Sequence, residues 1–137
     1  MAYSKQTWDT TSFVNPTRMN YIEQGIYDAT NKIESSFIPP TSINSKITVS
    51  QNYLRRFGRV CEIRLEGSAN ENISSWESLI NATPQGYRPF ESNNSYSMTI
   101  GQSTIMCNFN ENGILNCPNS ITQNTNIRFK ATYLTRD

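Results

Sequence analysis

The chain has 137 residues, a formal net charge of +1, no histidine, 36% apolar residues and 17% charged residues. That length allows one domain and a short appendage rather than two full domains. Low net charge with 11% aromatics and 14 isoleucines excludes charge-driven disorder, and the lack of histidine excludes Ser-His-Asp and Cys-His catalysis and His-ligated zinc.

The place of charge is taken by 17 Asn, 16 Ser, 14 Thr and 6 Gln, so amides and hydroxyls dominate the polar chemistry. The balance is not basic enough for a general nucleic-acid binder. No apolar run approaches the ~20 residues of a membrane span, and the N-terminal stretch lacks the apolar core of a signal peptide. A soluble protein made in the cytosol, with neither nucleic acid nor membrane as partner, is expected. Cys61, Cys107 and Cys117 form no CxxC pair and are odd in number. They read as small buried apolar residues, and no cofactor or metal site is expected.

Residues 1–14 are polar with three large anchors, Tyr3, Trp8 and Phe13, and read as an extended arm. Two placements stay open for it: against this chain's own body, or on a neighbouring subunit or larger assembly. A helix is predicted over 15–37, capped by Asn15 with Pro16 at its first position. Met19, Ile22, Ile26, Ala29 and Ile33 are spaced 3, 4, 3, 4 and form an a/d seam with polar residues elsewhere. The stripe is narrower than a globular core helix carries, and Gly25 weakens the helix further. It needs partners, either copies of itself or this chain's β-domain. Isoleucine at a and d favours more than two strands, an argument that Ala29 in the seam weakens. Pro39-Pro40 then stops the helix, and residues 38–45 read as a stiff linker.

From residue 46 the period changes to two. Ile47 and Val49 predict a first strand, with 52–58 connecting. Cys61, Ile63 and Leu65 alternate with Glu62, Arg64 and Glu66, and Ile127, Phe129, Ala131 and Tyr133 alternate with Arg128, Lys130 and Thr132. Each set marks a half-buried strand. Around Asn112-Gly113, a three-residue loop with Gly113 left-handed pairs Phe109 with Leu115 and Cys107 with Cys117, and this register is preferred because it matches like with like. Ile73, Trp76, Leu79 and Ile80 read as a twisted strand rather than a helical turn, 84–89 as a turn and 91–97 as a polar loop. The fold class is therefore mainly β: an arm, a short trimerising helix, a linker and an antiparallel β-sandwich head over 46–137.

Two stretches carry a resemblance. Trp8-Asp9-Thr10-Thr11-Ser12-Phe13-Val14-Asn15-Pro16, followed by Asn20-Tyr21-Ile22-Glu23-Gln24-Gly25-Ile26, resembles a common opening of phage tail and baseplate proteins. Thr83-Pro84-Gln85-Gly86-Tyr87-Arg88-Pro89, the Asn-Gly hairpin and the terminal Ala131-Thr132-Tyr133-Leu134-Thr135 are similar to the small C-terminal head domains of phage receptor-binding proteins and tail fibres. This chain departs from the pattern at Thr83, where that family often has leucine. The resemblance implies a homotrimeric, mostly non-enzymatic virion fibre. Its N-terminal part would attach to other virion proteins, and its β head would bind host cell-surface glycan or cell-wall polymer. The alternative is a purely structural virion protein such as a capsid head fibre or decoration protein.

Saccharide sites combine an aromatic face with amide and carboxylate hydrogen-bonding groups. Trp76, Tyr87, Arg88, Glu91, Asn93, Asn94 and Tyr96 offer that chemistry in the least regular region. The competing reading makes Trp76 and Tyr87 packing residues and the Asn-rich loop a solvated turn. Arg55, Arg56, Arg59 and Arg64 form a basic cluster, but Glu62 and Glu66 are interleaved with it. Ion pairing across strands is therefore expected rather than phosphate recognition or carboxylate catalysis.

Overall fold

The structure, a computed structural model, describes residue 20, residues 33–92 and residues 94–136. The predicted arm with Tyr3, Trp8 and Phe13, and the seam residues Met19, Ile22, Ile26 and Ala29, lie outside the described residues. The chain divides after Ile33 into two compact units, and the second, Glu34–Asp137, is the β-body described here.

The body starts earlier than its sequence pattern suggests. Glu34–Ser36, predicted as the end of the helix, is a short strand β1. It pairs antiparallel with β2, Ile47–Phe57, placing Glu34 opposite Arg56 and Ser36 opposite Leu54. The expected linker is also part of the body. Ile38 and Ile43 are buried in the core, and Pro40–Ser42 makes one 3-10 turn between them. The buried Ile38 has both backbone groups satisfied by one side chain: its N–H donates to Asn52 Oδ1 at 3.0 Å, and its carbonyl accepts from Asn52 Nδ2 at 2.7 Å.

Six further strands follow: β3 Val60–Ala69, β4 Ser78–Ile80, β5 Asn94–Ile100, β6 Ser103–Phe109, β7 Leu115–Asn116 and β8 Asn126–Leu134. They join β1 and β2 in one antiparallel sheet of eight strands, in the order β1-β2-β3-β8-β5-β6-β7-β4. The mainly β, antiparallel architecture is as expected, and the sandwich is met only in part: the eight strands form a single sheet that curls on itself. Its last strand returns to the segment ahead of β2, where Ile43 bridges Ile80, Asn44 N donates to Leu79 O at 3.0 Å and Asn81 N donates to Ser42 O at 2.6 Å. Curling gives a small sheet one enclosed face and satisfies an edge that would otherwise be open.

The predicted alternation holds in β3 and β8. Cys61, Ile63 and Leu65 are buried, as are Ile127, Phe129, Ala131 and Tyr133, and the two strands pair through Ile63 and Ala131. The hairpin has the three-residue loop, with Gly113 at φ +72° and Phe109 opposite Leu115. Two segments differ from expectation. Residues 52–57 continue β2 rather than connecting strands, and β5 begins at Asn94 inside the expected polar loop. Phe109 is the centre of the enclosed face. Its ring lies edge-on to Phe129 at 5.6 Å and to Tyr133 at 5.3 Å. Such aromatic pairs add about 0.5–1.5 kcal/mol each beyond the area they bury.

Candidate functional site

The predicted saccharide-binding residues that are described take up different settings. Tyr96 joins the aromatic core, edge-on to Phe109, Phe129 and Tyr133 at 6.0, 6.4 and 6.3 Å, and burial raises its phenol pKa. Tyr87 is half-buried against the same core, and its carbonyl accepts from the Tyr133 hydroxyl. Both rings pack against the core. Asn94 lies on β5 opposite Phe109, Glu91 is exposed, and Asn93 lies outside the described residues.

Arg88 has a different setting. It lines a cleft of about 210 Å³ with Gln85, Glu111, Asn112, Thr135 and Arg136. Three chain segments build the cleft, and each is held by identifiable bonds. Pro84–Tyr87 is a turn closed by Tyr87 N donating to Pro84 O at 3.1 Å. The carbonyl of Gly86 accepts from Arg56 Nη1 at 2.8 Å and from the Cys61 thiol at 3.7 Å. The hairpin tip is clasped to the residue before this turn: buried Thr83 donates its hydroxyl to Gly113 O at 2.7 Å. Arg88 Nε donates to Thr83 O at 2.7 Å, which fixes one edge of the guanidinium beside that clasp. The C-terminal segment is pinned by Thr135 N donating to Arg59 O at 2.8 Å and Arg59 Nε donating to Thr135 O at 3.0 Å. Arg59 and Arg136 also place their guanidinium groups over the exposed ring of Phe90, at 5.5 and 5.4 Å.

Of the cleft residues, Arg88 is among the candidates expected from the sequence, and Glu111, Asn112 and Arg136 are not. The Thr83–Gly113 clasp that gathers them joins residues 30 positions apart, and no local pattern signals it. The basic cluster does not resolve into the expected cross-strand ion pairs: Arg64 pairs with Glu66 within β3, Glu66 takes its cross-strand partner from Arg128 on β8, and Arg55 lies over the Tyr53 ring at 4.3 Å. Glu66 accepts from Arg64 Nη2 at 2.8 Å and Arg128 Nε at 2.9 Å, with the Arg64 bond first among the causes that lower its carboxyl pKa. Glu62 accepts from the Tyr53 hydroxyl at 2.6 Å. Arg56 and Arg59 are committed to backbone carbonyls.

Trp76 stands apart from the cleft. The residue is 61% exposed and is not part of the core. It occupies the third position of a turn closed by Glu77 N donating to Ser74 O at 3.2 Å, and its φ is +66°. In the corresponding place of the Pro84–Tyr87 turn stands Gly86. A bulky residue with that backbone costs about 1–3 kcal/mol and persists only where its surroundings fix it. Here Trp76 N donates to Cys117 O at 2.8 Å, and Trp76 O accepts from Asn116 Nδ2 at 3.0 Å.

No protein-family model matches the chain, and no curated protein matches it in sequence. Among solved structures it is similar to the receptor binding protein (gp15) of Listeria phage PSA. The TM-score is 0.63 at 17% identity, over 88% of this chain and 76% of that one. The chain shares its fold with a phage receptor-binding protein. At this identity the likeness is one of fold, and it agrees in class with the head-domain resemblance read from residues 83–89, 112–113 and 131–135.

Proposed function

We propose that the protein is a phage receptor-binding protein: a virion component whose β-body binds a host cell-surface glycan or cell-wall polymer through the Arg88 cleft. The observation that carries this reading is the shared fold with the Listeria phage protein, extending over 88% of the chain. The cleft supports it with two arginines, a carboxylate and amide groups held on bonded segments. Its volume is below the roughly 300 Å³ of small drug-sized pockets. It therefore suits a single residue or terminus of a polymer rather than a buried oligomer.

The protein acts as a homotrimer in this proposal, joined by the seam of Met19, Ile22, Ile26, Ala29 and Ile33, with Tyr3, Trp8 and Phe13 anchoring the arm to other virion proteins. Two observations on described residues support self-association. Ile33 is 64% exposed, although the seam spacing assigns it to an interface. Phe57, Val60 and Leu134 lie side by side across β2, β3 and β8, each 45–56% exposed. Glu34, where the chain enters β1, pairs with Arg56, the neighbour of Phe57. Three copies each held through a small site gain avidity by simultaneous engagement.

Light scattering during size-exclusion chromatography of micromolar protein is expected to give three times the 15.6 kDa chain mass; a monomer refutes the trimer. Labelled protein is expected to adsorb to a subset of a bacterial strain panel. Removing cell-wall glycans should abolish adsorption, and Arg88→Ala should weaken it at least about tenfold, as expected when a charged hydrogen bond is lost. Adsorption to no strain favours the purely structural virion protein.

A further inference from the structure

We propose that Trp76 is a second glycan contact, an exposed platform on which the apolar C–H face of a sugar ring stacks. The proposal rests on the reading of the body as a glycan-binding head and concerns a surface distinct from the Arg88 cleft. Three observations carry it. The residue is 61% exposed, so core packing does not explain its presence. Its backbone is left-handed, at a turn position where glycine or asparagine fits without strain and tryptophan does not. Two hydrogen bonds, to Cys117 O and from Asn116 Nδ2, hold that strained backbone in place. Strain maintained at a largely exposed aromatic residue is the pattern expected of a ligand contact.

The chemistry around the ring selects the ligand class. Asn116 Nδ2 also reaches the Ser78 hydroxyl at 3.3 Å. The adjacent Glu77 carboxylate accepts from Asn44 Nδ2 at 2.7 Å and Lys46 Nζ at 3.0 Å. Hydrogen bonds from these two groups, Asn44 first, hold the Glu77 carboxyl below the usual carboxylate range, so it is ionised at neutral pH. An exposed tryptophan on a turn whose neighbouring hydrogen-bond network holds an amide, a hydroxyl, a carboxylate and an ammonium offers the chemistry that a pyranose, with its apolar C–H face and rim of hydroxyls, needs.

The test uses the full-length chain on a printed array of purified bacterial surface polysaccharides, with Trp76→Phe, Trp76→Asn, Trp76→Leu and Arg88→Ala compared with wild type. Trp76→Phe keeps a ring and is expected to bind within about threefold of wild type. Trp76→Asn and Trp76→Leu remove the π face and are expected to bind at least about tenfold more weakly. Trp76→Asn is also expected to melt at or above the wild-type temperature, because asparagine tolerates the left-handed backbone. Wild-type binding by both Trp76→Asn and Trp76→Leu overturns the proposal, as does a Trp76→Asn melting temperature well below wild type, which makes Trp76 a packing residue. Loss of binding in Arg88→Ala alone leaves the cleft as the glycan site and overturns the Trp76 platform. Should wild type bind no polysaccharide, the glycan-binding reading itself fails, and the platform with it.

Discussion

Replacing Gly113 with alanine tests the clasp that assembles the cleft, and replacing Gly58 supplies the control. Both glycines are left-handed, Gly113 at φ +72° and Gly58 at φ +59°. Alanine in that conformation costs about 1–2 kcal/mol at either position. The two differ in what the new methyl group meets. At Gly58 nothing lies within 4 Å. At Gly113 the Cβ falls 2.6 Å from Thr83 Oγ1 and 2.8 Å from Thr83 N, against a residue that is 1% exposed and has no room to retreat. Overpacking of this kind costs about 1–3 kcal/mol, and the Thr83–Gly113 hydrogen bond goes with it. Gly58→Ala is therefore expected to lower the unfolding free energy by about 1–2 kcal/mol, and Gly113→Ala by about 2–5 kcal/mol. Urea unfolding, with all variants at one protein concentration so that association does not differ among them, measures both. The difference between the variants isolates the steric contact from the backbone effect. A difference below about 0.5 kcal/mol, within the error of such comparisons, refutes the tight clasp and the reasoning that builds the cleft on it.

Three further predictions follow from single interactions. Thr83→Val keeps the shape of the side chain but leaves the Gly113 carbonyl without its buried partner, so it is expected to cost about 1–3 kcal/mol in the same urea assay; an unchanged midpoint counts against it. Glu66 titrates below the ordinary carboxylate value of about 4.3 because Arg64, then Arg128, stabilise its charged form. Its contribution is full above that ordinary value and is lost as pH falls through the lowered folded value. Acid should therefore lower the wild-type melting temperature more steeply than that of Glu66→Gln, and equal slopes below about pH 5 refute the linkage. Burial pushes the Cys107 thiol up to about 12 and raises those of Cys61 and Cys117. A thiol reagent at pH 8 is expected to label none of the three in native protein and all three in denaturant, and native labelling or a Cys107–Cys117 disulfide under oxidised glutathione contradicts this.

The strands that could be read from sequence are those with one clean apolar face. β3 and β8 alternate without interruption, and Asn112-Gly113 sets the hairpin register because a left-handed position admits few residues. The second half of β2 was hidden because polar residues occupy its inner row: Asn52 lies opposite buried Leu65, and Arg56 opposite buried Cys61. Both side chains satisfy backbone groups of other segments, Asn52 at Ile38 and Arg56 at Gly86. Such uses depend on tertiary contacts and leave no period. β1 was hidden for a related reason: Glu34, Ser35 and Ser36 carry no strand signal, and β2 alone makes them a strand.

The same bonding explains why the sequence suggested more ligand chemistry than the described residues offer. Asparagine is the commonest polar residue in the chain, and amides are what a glycan site needs. Yet much of that chemistry is already committed to the protein's own backbone. Asn44 Oδ1 accepts from Lys46 N, Asn72 Oδ1 accepts from Gln123 N, and Asn110 Oδ1 accepts from Asn112 N and Ile114 N. In a body built from short strands and many turns, these amides take the place of ladder hydrogen bonds that the turns cannot make. An Asn-rich composition is thus the expected cost of the curled sheet before any receptor is considered. Side chains that the fold leaves open to solvent are more informative: Trp76, largely exposed on a left-handed backbone, is one, and Arg88, bonded along one edge of its guanidinium while lining the cleft, is another.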